Sequence, residues 1–560
     1  MSTPWSNRRR GRPRADTLRI RPGRSIGTVL VSVGLMVAAC PPARATTSSS
    51  TTASSSASSS STTPGTSGPS WTVYHEDVAG AGVAAPVARV DTARRAWTSP
   101  TLDGKLYGEP LVSGDLAYVA TENDTVYALS ASTGAVVWST HVGAPVPSSM
   151  LPCGDITPDV GITGTPVIDP VRSELFVVAD ELVDGAPHHR LVGLDTTTGR
   201  VELTQGVDPN GSTPSALLQR TGLTLDAGRV VFGFGGNYGD CSTYRGWVVA
   251  AAESGGTPLD FAVDSARDES QGAIWMGGGA PAVDSAGDIW VGVGNGSVTS
   301  SSHAFDNSDS VLKLSPRLAL LQFFAPRSWA SDNAHDLDLS TVPALLSDGQ
   351  VLEAGKSRTA YLLDGSHLGG IGGEQASLGT GCQDDVDGGV AVVGTTVYLP
   401  CLTGIIAVRA TSSPAGLRIL WNSTTGGGPP IVAAGLVWSI SQDGTLFGLS
   451  PTTGAVRQSV SVGVAANHFP TPSVGDGLLL APATDSVVAF SASAVSTSPA
   501  TTTPAGTAQT TSPVTLGSES GSSSGGGLSN GTVAAIVIGG VLAAAIVGAW
   551  IIGRRRRRRL

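Results

Sequence analysis

The sequence predicts an all-β fold, an eight-bladed β-propeller, followed by one C-terminal transmembrane helix. Three observations predict it. A strand–turn–strand phrase recurs through the middle of the chain, prolines recur ahead of short apolar strands, and an uncharged stretch from Thr532 to Ile552 is closed by six arginines. Units of this size cannot bury their own apolar faces, and repeated copies stack as blades around an axis.

Taken from the N-terminus, residues 1–25 are Arg-rich and Ile26 to Ala39 are apolar but too short to span a bilayer, which is the layout of a secretory signal. Two processing readings stay open. Val37-Ala38-Ala39-Cys40 resembles a bacterial lipobox, which would lipidate Cys40, whereas Ala43-Arg44-Ala45 fits ordinary signal peptidase and gives a signal over residues 1–45. Residues 46–70 are almost wholly Ser, Thr, Ala, Gly and Pro, with no apolar pattern able to offset ordering entropy, so they read as a linker. Residues 495–530 read the same way.

The expected propeller occupies residues 71–494, and its clearest phrases are Asp124-Thr-Val-Tyr-Ala-Leu-Ser-Ala-Ser-Thr-Gly134-Ala-Val-Val-Trp138, Arg190 to Val201 and Gly444 to Val456. Alternating apolar residues supply half-buried strands, and the Thr-Gly supplies the positive φ of a tight hairpin turn. Prolines precede the apolar strands at Pro110, Pro166, Pro281, Pro343, Pro430 and Pro472, at intervals of 56, 115, 62, 87 and 42. The two long intervals are close to double. They imply further units near Leu223 and Val390, where the strand is kept and the proline lost, giving eight. After Pro472 only three strands remain before the second linker. The segment Ala93 to Ser99, with Trp97 placed like Trp138 and Trp421 at blade ends, is expected to complete the last blade. Gly233 to Gly239 reads as a blade turn tied by Cys241, since no Lys-Ser/Thr and no helix follow it to make a phosphate loop.

Residues 531–553 form the expected membrane helix, because 21 uncharged residues at ~1.5 Å rise cover a ~30 Å hydrocarbon core. The arginines of residues 554–560 hold that end in the cytoplasm and leave the propeller outside the cell.

Charge and cysteines bound the partners. Nine arginines lie within residues 1–44 and six at 554–559; the rest of the chain carries 19 basic residues against 43 acidic ones. Such a surface repels phosphate backbones and excludes nucleic acid as a partner. Four cysteines, Cys153, Cys241, Cys382 and Cys401, fall in the expected exported domain, which points to two disulfides with three possible connectivities. Cys153 with Cys241 and Cys382 with Cys401 is the favoured pairing, since the second pair lies within one repeat and the first spans neighbouring repeats.

The phrase Ala-Leu-x-x-x-Thr-Gly-x-x-x-Trp at Ala128 to Trp138 resembles the repeat of the quinoprotein alcohol dehydrogenase-like, or PQQ-like, β-propellers, as an exported, membrane-anchored member of the bacterial, actinobacterial type. Further stretches are similar: Gly161 to Asp169, Tyr244 to Ala250, Ile274 to Asp284, Gly292 to Gly296, and Asp336-Leu-Asp-Leu followed by Gly355-Lys356. In the dehydrogenases of that family a quinone lies over the axis beside a calcium ion, and an aspartate removes the substrate proton. The resemblance implies Asn295 as amide ligand to quinone and calcium and Asp336 as base, with Asp240 the nearest stand-in for the carboxylate ligand of calcium. Three features of that chemistry are missing: a vicinal Cys-Cys pair, a Cys-x-x-Cys-His for haem, and a glutamate at Asp240. His188-His189 and His335 lack metal-site spacing.

The expected function is therefore a membrane-anchored extracellular binding or scaffold module without catalysis or cofactor, whose partner is a protein, peptide or glycan outside the cell. The alternative is a PQQ- and Ca-dependent dehydrogenase of alcohols or sugars.

Overall fold

A computed structural model of the chain describes residues 69–264 and 270–494. The proposed signal and lipidation site, both linkers and the C-terminal apolar segment lie outside these residues. Among the described residues no helix is long and apolar enough to cross a membrane.

Eight sheets of four or five strands follow one another along the chain. The first strands of blades 1 to 8 are Leu111–Ser113, Val167–Asp169, Thr224–Asp226, Ala282–Val283, Ala344–Leu345, Ala391–Val393, Ile431–Ala433 and Ser473–Gly475. Each begins just after one of the six prolines or at one of the two positions inferred from spacing. A residue without an N–H is tolerated at the first position of a strand, which is why proline marks blade starts. The fourth strands of blades 1, 2 and 7, Val136–His141, Val201–Gly206 and Val456–Ser461, show alternating exposure, whereas the first three strands are largely buried. Blade 4 gains a fifth strand, Gly370–Ile371, which pairs in parallel with Leu320–Ala325 and covers its edge.

Blade 8 is completed from the other end of the chain. Val87–Thr98 pairs antiparallel with Val487–Ala494, with Trp97 opposite Ala489. The Trp97 indole N–H donates to the Ala131 carbonyl of blade 1 at 2.7 Å. The same device joins blade 1 to blade 2, where Trp138 donates to Thr196 at 3.0 Å, and blade 6 to blade 7, where Trp421 donates to Pro451 at 2.8 Å. Each indole lies on the Thr-Gly turn of the next blade. A Cβ on Gly134, whose φ is +72°, would sit 2.4 Å from Trp97 Cε3, so the turn needs glycine for its backbone and for the ring above it.

Residues 69–84 fill the axis. Pro69 accepts from the Asp476 N–H of blade 8, Trp71 exchanges two hydrogen bonds with Val112 of blade 1, and Thr72 accepts from Ile168 of blade 2. The segment reverses at His75 and Glu76, both at positive φ, and returns through bonds from Val283 of blade 4, Val392 of blade 6 and Val432 of blade 7. At the tip, the Tyr74 and His75 rings stack at 4.3 Å, and the His75 N–H donates to Glu109 at 2.8 Å. Both ends of the described chain leave on the side of the tight turns between first and second strands, here the turn face. The long connections between blades lie on the opposite loop face.

The expected turn at Gly233 to Gly239 is corrected. Arg229–Gly236 is a strand and only the residues after it turn. The glycines there reflect close side chains: a Cβ on Gly236 would lie 2.2 Å from Tyr244 Cε1.

Candidate functional site

The loop face gathers the residues that the motifs single out. Asn295 follows the second strand of blade 4, Ile289–Val293; its N–H donates to Asp338 Oδ1 at 2.6 Å and its carbonyl accepts from Gly272 at 2.9 Å. Asp336 and Asp338 lie in the connection from blade 4 to blade 5, and Lys356 follows the second strand of blade 5. Lys356 Nζ reaches Asp338 Oδ2 at 2.5 Å and Asp336 Oδ1 at 3.2 Å. The Asp338 side chain is 5% exposed and that of Asp336 is 68% exposed, so the ammonium bridges one buried and one solvated carboxylate. Burial alone would lower the Lys356 pKa, but the two carboxylates outweigh it and raise it.

Asp240 sits beside the Cys153–Cys241 disulfide and accepts from the Tyr244 hydroxyl at 2.7 Å. Burial raises its pKa, with the charges of Asp338 and Asp336 adding to the effect. The second disulfide joins Cys382 and Cys401. Asp387, from the same loop as Cys382, is pushed up to about 7 by burial, and one of its oxygens has no hydrogen-bond partner.

The structure thus brings Asn295, Asp336 and Asp240 into one electrostatic neighbourhood, joined through Asp338 and Lys356. Lys356 stands in a motif of the sequence, but its bridging role is visible only in the structure. As arranged, this donor set does not fit a quinone–calcium pair. Calcium takes six to eight oxygens, yet the aspartates already hold an ammonium, Asp240 holds a phenol, and among the described residues no group of three or more His, Cys, Asp or Glu side chains is arranged to hold a metal. The loops also close toward one another: a Cβ on Gly277 would lie 2.5 Å from Gly388 Cα. His188 and His189 turn instead to Asp208, at 2.7 and 2.8 Å.

A second feature of the loop face carries no sequence motif. A cavity of about 270 Å³ opens between loops of blades 8, 1 and 2, lined in part by Asp103, Lys105, Glu122, Asp159 and Asp485. Nearer the axis, Arg220 is 9% exposed and stands 5.4 Å from the Tyr107 ring and 5.3 Å from the Phe469 ring.

The sequence profile of the family described as outer membrane protein assembly factor BamB matches residues 83–270. No curated protein sequence matches the chain. Among solved structures, quinohemoprotein alcohol dehydrogenase ADHIIG from Pseudomonas putida HK5 is similar over 80% of this chain and 83% of its own, with a TM-score of 0.58 and 13% identity. Quinohemoprotein alcohol dehydrogenase from Comamonas testosteroni is similar over 77% and 82%, with a TM-score of 0.57 and 15% identity. A europium-containing methanol dehydrogenase is similar over 74% and 89%, with a TM-score of 0.54 and 14% identity. Identities this low speak for the fold alone.

Proposed function

We propose that this chain, a PQQ-like β-propeller, works as a membrane-anchored extracellular binding or scaffold module that offers its loop face to a partner protein and performs no catalysis. The observation that carries this reading is the pairing of Lys356 with both Asp336 and Asp338. A general base must hold a free carboxylate within hydrogen-bond reach of a substrate proton; Asp338 is buried against the ammonium, and the exposed Asp336 shares that same cation. The exit of both described chain ends on the turn face supports the same reading, since tethers there leave the loop face free. Anchoring itself is argued from the uncharged stretch at Thr532 to Ile552 and the arginines after it.

The test is capture of partners from intact cells by the full chain, with a variant that reverses several loop-face charges as control. Retention of a specific partner by the parent chain alone supports docking, and equal recovery on both counts against it.

The fold shared with quinohemoprotein alcohol dehydrogenases supports a second reading, a PQQ- and Ca-dependent dehydrogenase, in which Lys356 would have to release Asp336 and Asp338. Incubation of the full chain with PQQ and Ca²⁺, followed by quinone absorbance and dye reduction with alcohols or sugars, tests it. Stoichiometric quinone binding that Asn295→Ala and Asp336→Ala abolish would reverse the ranking.

A further inference from the structure

The wall of the cavity between blades 8, 1 and 2 carries four carboxylates, Asp103, Glu122, Asp159 and Asp485, against one amine, Lys105. That amine is held at the wall, where Lys105 Nζ donates to the Thr157 carbonyl at 2.7 Å, and it offsets only one of the four carboxylates. Asp103 is satisfied by Thr121, Asn123 and Thr125. Glu122 is not. It is only 4% exposed, and its Oε2 accepts from the Gly161 N–H at 2.8 Å and the Thr163 hydroxyl at 3.1 Å, while its Oε1 has no hydrogen-bond partner. A buried acceptor left unpaired costs roughly 1–3 kcal/mol, and more when charged. A donor that also carries positive charge removes that cost.

We propose that this cavity receives a cationic side chain, the ammonium or guanidinium of a Lys or Arg presented by a partner protein. The proposal rests on the loop face being a docking face, as argued above. An organic cation fits better than a metal ion. It needs a few directed acceptors rather than a close oxygen shell, and among the described residues no side-chain group is arranged to hold a metal. The volume suits one long side chain, and the excess of four carboxylates over one amine supplies the complementary charge.

A consequence separates this site from bulk attraction to an acidic protein. Burial pushes Glu122 up to about 7, against the Gly161 and Thr163 hydrogen bonds and the charge of Arg220, with Asp180 adding to the rise. A bound cation favours the ionised form, so binding releases a proton and strengthens as pH rises through that value.

The experiment titrates the full chain calorimetrically with N-acetyl-argininamide, N-acetyl-lysinamide and the neutral N-acetyl-glutaminamide. At pH 8 at least one cationic probe is expected to bind and the neutral one to stay silent, the stronger cation naming the side chain. Affinity is expected to fall about tenfold at pH 5.5, since the bound form must lose its proton. Glu122→Gln, which keeps the acceptor for Gly161, is expected to weaken binding about tenfold. Asp485→Asn, at the same cavity, weakens it in the same direction and stands in if the first variant does not fold. Asp348→Asn, on the turn face, leaves it unchanged. Silence of both cationic probes overturns the proposal, as does equal binding by a folded Glu122→Gln or an equal loss in Asp348→Asn. Should the probes bind while no partner is captured from cells, the docking reading fails and the chemistry of the cavity stands.

Discussion

Trp97, Trp138 and Trp421 each join one blade to the next through an indole that covers a glycine and donates to a carbonyl. Gly134→Ala puts a methyl into the Trp97 ring at a backbone angle that L-residues avoid, so it is expected to cost about 2–3 kcal/mol, read from the midpoint of urea unfolding. Trp97→Ala removes a buried aromatic and its hydrogen bond and is expected to cost about 3–5 kcal/mol by the same measurement. Protons act on other residues. Burial holds His75 down at about 4. Its neutral form contributes stability above pH 6.5 that is lost as pH falls toward 4, on the order of 3 kcal/mol. The buried carboxylates act in the opposite sense: burial raises Glu122, Asp180 and Asp387 to about 7, and lifts Glu109, Asp124 and Glu353 well above the usual carboxylate range. Their contribution is complete below about pH 4 and is lost as pH rises to 7 and beyond. The carboxylates outnumber the histidine. Acidification from pH 7.5 to 5 is therefore expected to raise the calorimetric Tm, and Glu122→Gln to raise Tm at pH 8 but not at pH 5. A Tm that falls on acidification in the parent chain contradicts this assignment.

At the scale of elements, Val87–Thr98 and the axial segment before it decide whether the ring is closed. Removing Trp71 to Ser99 strips blade 8 of its outer strand and the axis of its filling, so cooperative melting by circular dichroism is expected to disappear; a truncated chain that melts like the intact one sinks the closure. The disulfides act locally. By loop-closure entropy the Cys153–Cys241 link, over 88 residues, contributes more than the Cys382–Cys401 link, over 19, roughly 4–5 against 3 kcal/mol. Single Cys→Ser variants, compared by urea unfolding under oxidising conditions, are expected to follow that order. The blades were legible because their signals are local: a proline at a strand start, a Thr-Gly in a turn, a tryptophan at a strand end. The axial segment was not, since its partners lie on six blades and leave no period in Trp71 to Ala84. Glu122 was hidden for a related reason. It occupies a turn position that Gln442 fills in blade 7, where the residue is exposed. Only the arrival of Gly161 and Thr163 from blade 2 buries Glu122. Asp336, Asn295 and Lys356 all stand in motifs, but the bridge from the Lys356 ammonium to Asp336 and Asp338 was not legible, because Lys356 lies 20 residues from Asp336 and on another strand connection.

At the scale of the whole molecule, the loop face carries both candidate sites and the turn face carries both ends of the described chain, so the proposed docking face and the proposed tethers would be separated by the thickness of the blades. The axial segment has a different consequence, in the order of synthesis. It is made before the blades, whereas its hydrogen-bonding partners arrive one blade at a time, from Val112 to Asp476. The strand at Val87–Thr98 likewise waits for Val487–Ala494. A nascent chain therefore carries an unpaired strand at Val87–Thr98 until its last blade is made. The ring must assemble around the segment rather than be threaded by it afterwards. A chain cut short anywhere before blade 8 keeps that strand edge open, which makes incomplete copies recognisable as such by the surface they cannot hide.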